Sequence, residues 1–235
     1  MTGEEAFNWL GSEYTSNSSV EGLENIPKDG KFLILSNHPM GAADAIALYH
    51  KIYPVRNDLF FFANELFVYL LGAFHELLAP VVWNKEKETH SANKVTLERL
   101  SVFFGDDRPG IIFPSGRLSK LTFFGLWDRP WEKTPIALAK KYNFPLIPVY
   151  VEGRNSWFFY FASYVNKQLR DISQLNELFN KREKKMSIKI GRPVNVNKLN
   201  DNTEIAIGQM RYKSESLRKK AVLKLNRFLH LRNFR

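Results

Sequence analysis

The chain has 235 residues, 34 Lys and Arg against 24 Asp and Glu, a formal charge of +10, 44% hydrophobic residues and no cysteine. That length and apolar content suit one globular domain of α/β size. The missing cysteine excludes a disulfide scaffold, a thiolate metal site and a Cys acyl-enzyme.

Residues 1–19 are acidic and polar, with neither a basic start nor an apolar block, so they do not read as a signal peptide. Strands are expected at 31–36 (KFLILS), 59–63, 80–83, 110–113, 146–151 and 186–190, each an apolar run bounded by Gly, Pro or Asn. Helix-period segments lie between them at 42–52, 65–76, 89–104, 134–142, 156–167 and 172–180, and a last one at 203–231 carries a possible break near Gln209. This alternation predicts an α/β fold with a central mixed, largely parallel sheet flanked by helices, as one domain over 1–235. The longest apolar runs, 66–74 and 157–165, are about half the roughly 20 residues that span a bilayer. Segments 85–91 and 120–133 are expected to be mobile loops, the second with its Trp rings (WDRPW, 127–131) either closing the core beneath it or lining a lipid-facing entrance.

Strand 31–36 runs into Ser36-Asn37-His38-Pro39-Met40-Gly41-Ala42-Ala43-Asp44. A His just past the carboxyl end of a strand, on a Pro/Gly loop entering a helix, stands where α/β sheets place their ligand crevice. Asp44 falls in the first turn of that helix. From there it can hold the imidazole so that one ring nitrogen is left to take a proton, or it can simply complement the helix dipole while His38 caps the loop. His50, His75, His90 and His230 have no such setting. After strand 110–113 comes Phe113-Pro114-Ser115-Gly116-Arg117-Leu118-Ser119-Lys120, a loop equally suited to an anionic or carbonyl-bearing ligand and to an ordinary basic turn. The chain has no G-x-S-x-G elbow, Walker A loop or G-x-G-x-x-G, which disfavours a serine hydrolase and nucleotide chemistry.

Asn37-His38 with Asp44, then Phe113-Pro114-Ser115-Gly116, then Ile147-Pro148-Val149, in that order, resembles the motif set of the lysophospholipid (glycerolipid) acyltransferase superfamily, with Gly22-Leu23-Glu24-Asn25-Ile26-Pro27 similar to its lead-in. The Asn-His-Pro-x-Gly start, five residues between His38 and Asp44, and Glu152-Gly153-Arg154-Asn155-Ser156 look most like the haemolysin-like branch, which includes bacterial enzymes that O-acylate ornithine or glycine lipids. The resemblance implies that His38 is a general base oriented by Asp44, deprotonating a lyso-lipid hydroxyl that attacks an acyl thioester on acyl carrier protein or CoA, with no cofactor and no metal. It further implies acceptor binding by Asn37, Lys85, Ser115, Gly116 and Arg117. Ser115 stands where the family usually has Glu, and Lys85 where it usually has Arg. A zwitterionic or carboxylate-bearing lyso-lipid is therefore expected in place of lysophosphatidic acid. An N-acyltransferase acting on an amino-acid amine remains an alternative from the same base.

The basicity is local. Residues 211–235 hold nine Lys and Arg against Glu215 alone, while the other 210 residues hold 25 bases and 23 acids. Apolar residues at 217, 221, 225, 228 and 229 give 203–235 the pattern of a basic amphipathic helix. It could dock on an anionic membrane or an acidic carrier, or pack on the domain with its bases solvated. A non-catalytic basic module for membrane or nucleic acid is the competing reading, but no nucleic-acid motif accompanies the tail, and nucleic acid is not the expected partner. The aromatic run 157–161 is expected to be buried, as a core helix or as the wall of an acyl-chain tunnel. The expected location is cytoplasmic, peripheral on the inner face of the cytoplasmic membrane.

Overall fold

The computed structural model describes residues 2–64, 72–81, 90–123, 125–166, 173 and 176–218. Lys85, most of the helix expected at 65–76 and the tail beyond Arg218 lie outside the described residues. In chain order the elements are α1 (Gly3–Tyr14), β1 (Ser18–Glu21), β2 (Leu33–Ser36), α2 (Ala42–Ile52), β3 (Phe60–Asn64), β4 (Leu78–Val81), α3 (His90–Gly105) and β5 (Gly110–Ile112). They continue with β6 (Lys120–Thr122), β7 (Gly125–Trp127), α4 (Thr134–Tyr142), β8 (Leu146–Glu152), α5 (Trp157–Val165), β9 (Met186–Ile190) and α6 (Thr203–Ser216).

Among the described residues the main sheet has seven strands in the order β1-β9-β8-β2-β5-β3-β4. All neighbouring pairs are parallel except β8 with β9. Strand β2 lies at its centre, and its unbroken apolar run follows from burial on both faces. Ile34 and the preceding Phe32 point into a core shared with Phe7, Ile46 and Tyr49 of α1 and α2. Leu33 and Leu35 point the other way, against Phe103 and Phe104 of α3, Ile136 of α4 and Met210 of α6. A one-residue slip of β2 would exchange the two faces, so its register with β5 (Ile34 opposite Ile111) and β8 (Ile34 opposite Ile147) is set by packing on two sides.

Three expectations need correction, and helix α1 and strand β1 add two elements for which none was stated. The helix is started by a capping box in which the Thr2 hydroxyl accepts from Glu5 N and the Glu5 carboxylate accepts from Thr2 N. The segment 120–133 is no open loop: β6 and β7 pair as an antiparallel hairpin, and Trp131 beyond it is buried in the core. Helix α6 runs through Gln209 without a break and ends at Ser216, whose hydroxyl donates to the Lys213 carbonyl at 2.7 Å in competition with the helical ladder. Residues 157–161 do form a helix, but only Phe159 of the five is buried, and Trp157, Phe158 and Phe161 are exposed. A nine-residue helix on the edge of the fold has one face to bury and one left over.

Candidate active site

The loop between β2 and α2 is built to hold His38 over the carboxyl ends of the central strands. Asn37 behaves as an extra rung of the sheet: its amide donates to the Val151 carbonyl at 2.8 Å and accepts from Val151 N at 2.7 Å, which locks the loop to β8. Gly41 then turns the chain at φ +81, a conformation that favours glycine, and starts α2. Asp44, three residues on, is completely buried and gathers three donors on one oxygen. Its Oδ2 accepts from Met40 N at 2.8 Å and Gly41 N at 3.0 Å and lies 3.0 Å from His38 Nδ1. A carboxylate in the first turn of a helix, taking two backbone N–H groups, is a rigid anchor for the imidazole, and it engages Nδ1 and not Nε2. The imidazole is held from the other side by Phe113, whose ring stacks on it at 4.0 Å between centroids.

The loop after β5 is stitched to the same place. Ser119 N donates to the His38 carbonyl at 2.8 Å. Beneath both loops sits Asp128, from the segment after β7. Its Oδ1 accepts from the Ser119 hydroxyl at 2.9 Å, lies 3.3 Å from the Ser115 hydroxyl and takes a long bond from His38 N at 3.4 Å. Its Oδ2 accepts from the Trp131 indole at 2.6 Å, and Arg211 of α6 donates to its backbone carbonyl at 2.9 Å. Burial pushes the Asp128 carboxyl above the usual aspartate range, although the donors around it oppose the shift. Sequence reasoning missed this residue. The signal available was an Asp between two tryptophans in a segment too aromatic for a solvated loop.

A cavity of about 690 Å³ opens beside the loop, lined there by Asn37, Pro39, Met40 and Asp128. Its far wall is Tyr150, Gly153, Asn155 and Trp157, and cations border it at Arg154, Lys184, Lys185 and Arg218. Of the residues singled out from sequence, the fold brings His38, Asp44, Asn37 and Ser115 together. Ser115 is turned inward, donating to the Arg117 carbonyl at 2.8 Å, and the Arg117 side chain is exposed. None of His38, Asp44, Ser115, Gly116 and Arg117 is among the described residues lining the cavity, which reaches the His38 loop through its neighbours Asn37, Pro39 and Met40. Lys85 lies outside the described residues.

A family model described as Acyltransferase matches residues 5–229. Two lyso-glycine lipid O-acyltransferases, from Phocaeicola vulgatus and Bacteroides thetaiotaomicron, are each 31% identical over 182 residues, or 74% of this chain. The matched stretch is 63% and 65% of those relatives' own lengths, so the chain spans under two thirds of each. Among solved structures, the 1-acyl-sn-glycerophosphate (LPA) acyltransferase PlsC from Thermotoga maritima superposes with a TM-score of 0.53 at 22% identity, over 95% of this chain and 76% of that one. PlsC thus shares the fold, a mostly parallel sheet with helices on both faces. With the family model covering nearly the whole chain and the His–Asp loop at the head of the central strand, the chain belongs to the acyltransferase family.

Proposed function

We propose that this chain is an O-acyltransferase that moves a fatty acyl group from an acyl thioester to the hydroxyl of a lyso-lipid. The observation that carries the reading is the pairing of His38 Nδ1 with buried Asp44 at 3.0 Å, beside a cavity at the carboxyl end of the sheet. His38 Nε2 takes the proton of the acceptor hydroxyl as its oxygen attacks the thioester carbonyl. The tetrahedral oxyanion collapses with cleavage of the C–S bond, and the imidazolium returns the proton to the departing thiolate. The products are an ester and a free thiol; no acyl-enzyme forms and no further cofactor enters. Asp44 stabilises the imidazolium and keeps its orientation. The donor is acyl carrier protein or CoA.

The named activity of the two relatives supports a lyso-lipid acceptor with a carboxylate head group, for which Arg154, Lys184, Lys185 and Arg218 bordering the cavity provide attraction. Asn37, Ser115 and Gly116 act by holding the two loops in place. By charge, Arg117 and Lys85 are candidates for acceptor binding, Lys85 lying outside the described residues. No helix among the described residues is long and apolar enough to cross a membrane, and we place the protein on an anionic membrane surface, where its lipid acceptor resides.

The test is acyl transfer from a thioester to detergent-dispersed lyso-lipid by the purified protein and its His38→Ala variant, followed by mass spectrometry of lipids. Loss of a positioned general base is expected to lower the rate by roughly 10²–10⁴-fold. Undiminished transfer by a folded His38→Ala protein would overturn the mechanism.

A further inference from the structure

Among the described residues, helix α5 leaves a large apolar face exposed. Trp157, Phe158, Phe161 and Val165 are between 57 and 69% exposed, whereas Phe159 and Ala162 on the inner face are buried. At about 100° per residue the four exposed positions fall within an arc of roughly 100°, so they form one continuous stripe. The helix is fastened from below and at its start. The Ser156 hydroxyl caps it by accepting from Phe159 N at 3.2 Å, and Ser156 itself donates through N and Oγ to the buried carboxylate of Glu177, which Lys181 neutralises at 2.9 Å. An exposed aromatic stripe on an anchored helix is a built surface, and soluble monomers seldom present one without an interaction to serve.

Three further observations identify the occupant. Trp157 and Ser156 also line the 690 Å³ cavity, so the stripe begins at the mouth of the proposed acceptor site. Exposed cations stand on the same rim: Arg154, with its guanidinium 5.7 Å from the Trp157 ring centroid, and Lys184 and Lys185 across the opening. The acids lining the cavity are turned away from such a role: Asp128 is buried under its donors and Glu215 is bound by Arg211 at 2.9 Å, which leaves half-buried Glu152. Aromatic side chains edged by bases match the layering of a bilayer surface, with apolar rings at the acyl boundary and cations at the anionic head groups. A second copy of the chain seated on the same stripe would instead bring two rims of Arg154, Lys184 and Lys185 together.

From this arrangement we infer that the exposed face of α5 is a membrane-docking surface: Trp157, Phe158, Phe161 and Val165 enter the interface of an anionic bilayer and set the cavity mouth against it, so that the acceptor enters laterally from the lipid. The inference rests on the proposed lyso-lipid substrate only for that last clause; the docking itself does not depend on it.

The test is sedimentation with vesicles of phosphatidylglycerol and phosphatidylcholine, comparing the full chain with its Phe158→Glu/Phe161→Glu variant. Both side chains are exposed, so the variant is expected to melt within a few degrees of the parent. Its partitioning onto the vesicles should fall at least about tenfold. Transfer to a short-chain, water-soluble lyso-lipid should be unchanged while transfer to acceptor embedded in vesicles falls. Equal vesicle binding by both proteins, or no binding by the parent, would overturn the inference. So would a parent dimer by light scattering that the variant converts to monomer, or a variant defect confined to binding an acidic carrier protein. Failure of the functional reading is separately visible: the parent would bind vesicles and transfer no acyl group to either acceptor.

Discussion

Replacing Asp44 with Asn tests the proposed mechanism most directly, because it removes a charge with almost no change in shape. Asp44 Oδ2 is the oxygen used by His38 Nδ1, Met40 N and Gly41 N, all between 2.8 and 3.0 Å. An Asn can present its carbonyl oxygen there and keep all three donors, so the loop should persist. Asp44→Ala would instead leave two backbone N–H groups without their acceptor, at about 1–3 kcal/mol each, and would confuse folding with catalysis. What the Asn cannot supply is the anion facing the imidazolium. Opposite unit charges about 4 Å apart interact by about 4 kcal/mol at an effective dielectric constant of roughly 20. The amide dipole retains part of this, so a loss of about 3–4 kcal/mol, or roughly 10²–10³-fold in kcat, is expected at about 1.36 kcal/mol per decade. KM for the acceptor should change little. The assay is thiol release from an acyl thioester in the presence of lyso-lipid, run on Asp44→Asn, His38→Ala and the double variant. In the proposed mechanism Asp44 acts through His38, so the double variant should be no slower than His38→Ala alone. Full activity in Asp44→Asn, or losses that multiply in the double variant, would refute the assignment.

Asp128 should give the protein a distinctive pH dependence. Its folded-state pKa is raised by burial, so its effect on stability is most favourable at acid pH and declines as pH rises from the ordinary aspartate value, about 3.9, through the raised folded value. Asp128→Asn cannot titrate. Denaturant unfolding of both proteins from acid to neutral pH should therefore show the parent losing stability relative to the variant across that window, and a parent that holds or gains stability relative to the variant as pH rises would contradict the buried-carboxyl reading. Gly11→Ala places a Cβ 2.2 Å from the Cβ of His50 where α1 crosses α2, and thermal melts should show a destabilisation of about 1–3 kcal/mol from overpacking. Lys181→Ala leaves Glu177 buried without its cation. A loss of about 3–5 kcal/mol is expected by chemical denaturation, with a double replacement of Lys181 by Met and Glu177 by Leu less damaging than the single one.

Much of the sheet was legible because its strands advertise themselves. Buried on both faces, β2, β5 and β8 are unbroken apolar runs bounded by turn residues, and α2 and α4 begin and end where the pattern expects. Helix α1 was missed because its anchor is a capping box, Thr2 with Glu5, and only Phe7 and Gly11 are buried beneath it. The hairpin β6–β7 was missed because each strand is three residues long, too short for a period to show.

The amino-acid order determined the His–Asp loop by itself. His38, Gly41 and Asp44 are six residues apart or fewer, and a turn followed by the first coil of a helix brings them together whatever surrounds them. Only the tertiary structure decided the rest of the site. Asn37 meets Val151 across 114 residues, and Asp128 reaches His38 across 90. Such pairings depend on strand order and register, which no local pattern encodes. The same holds for α5: its sequence says that five aromatic and apolar residues form a helix, and only its place at the rim of the fold leaves three of them facing outward.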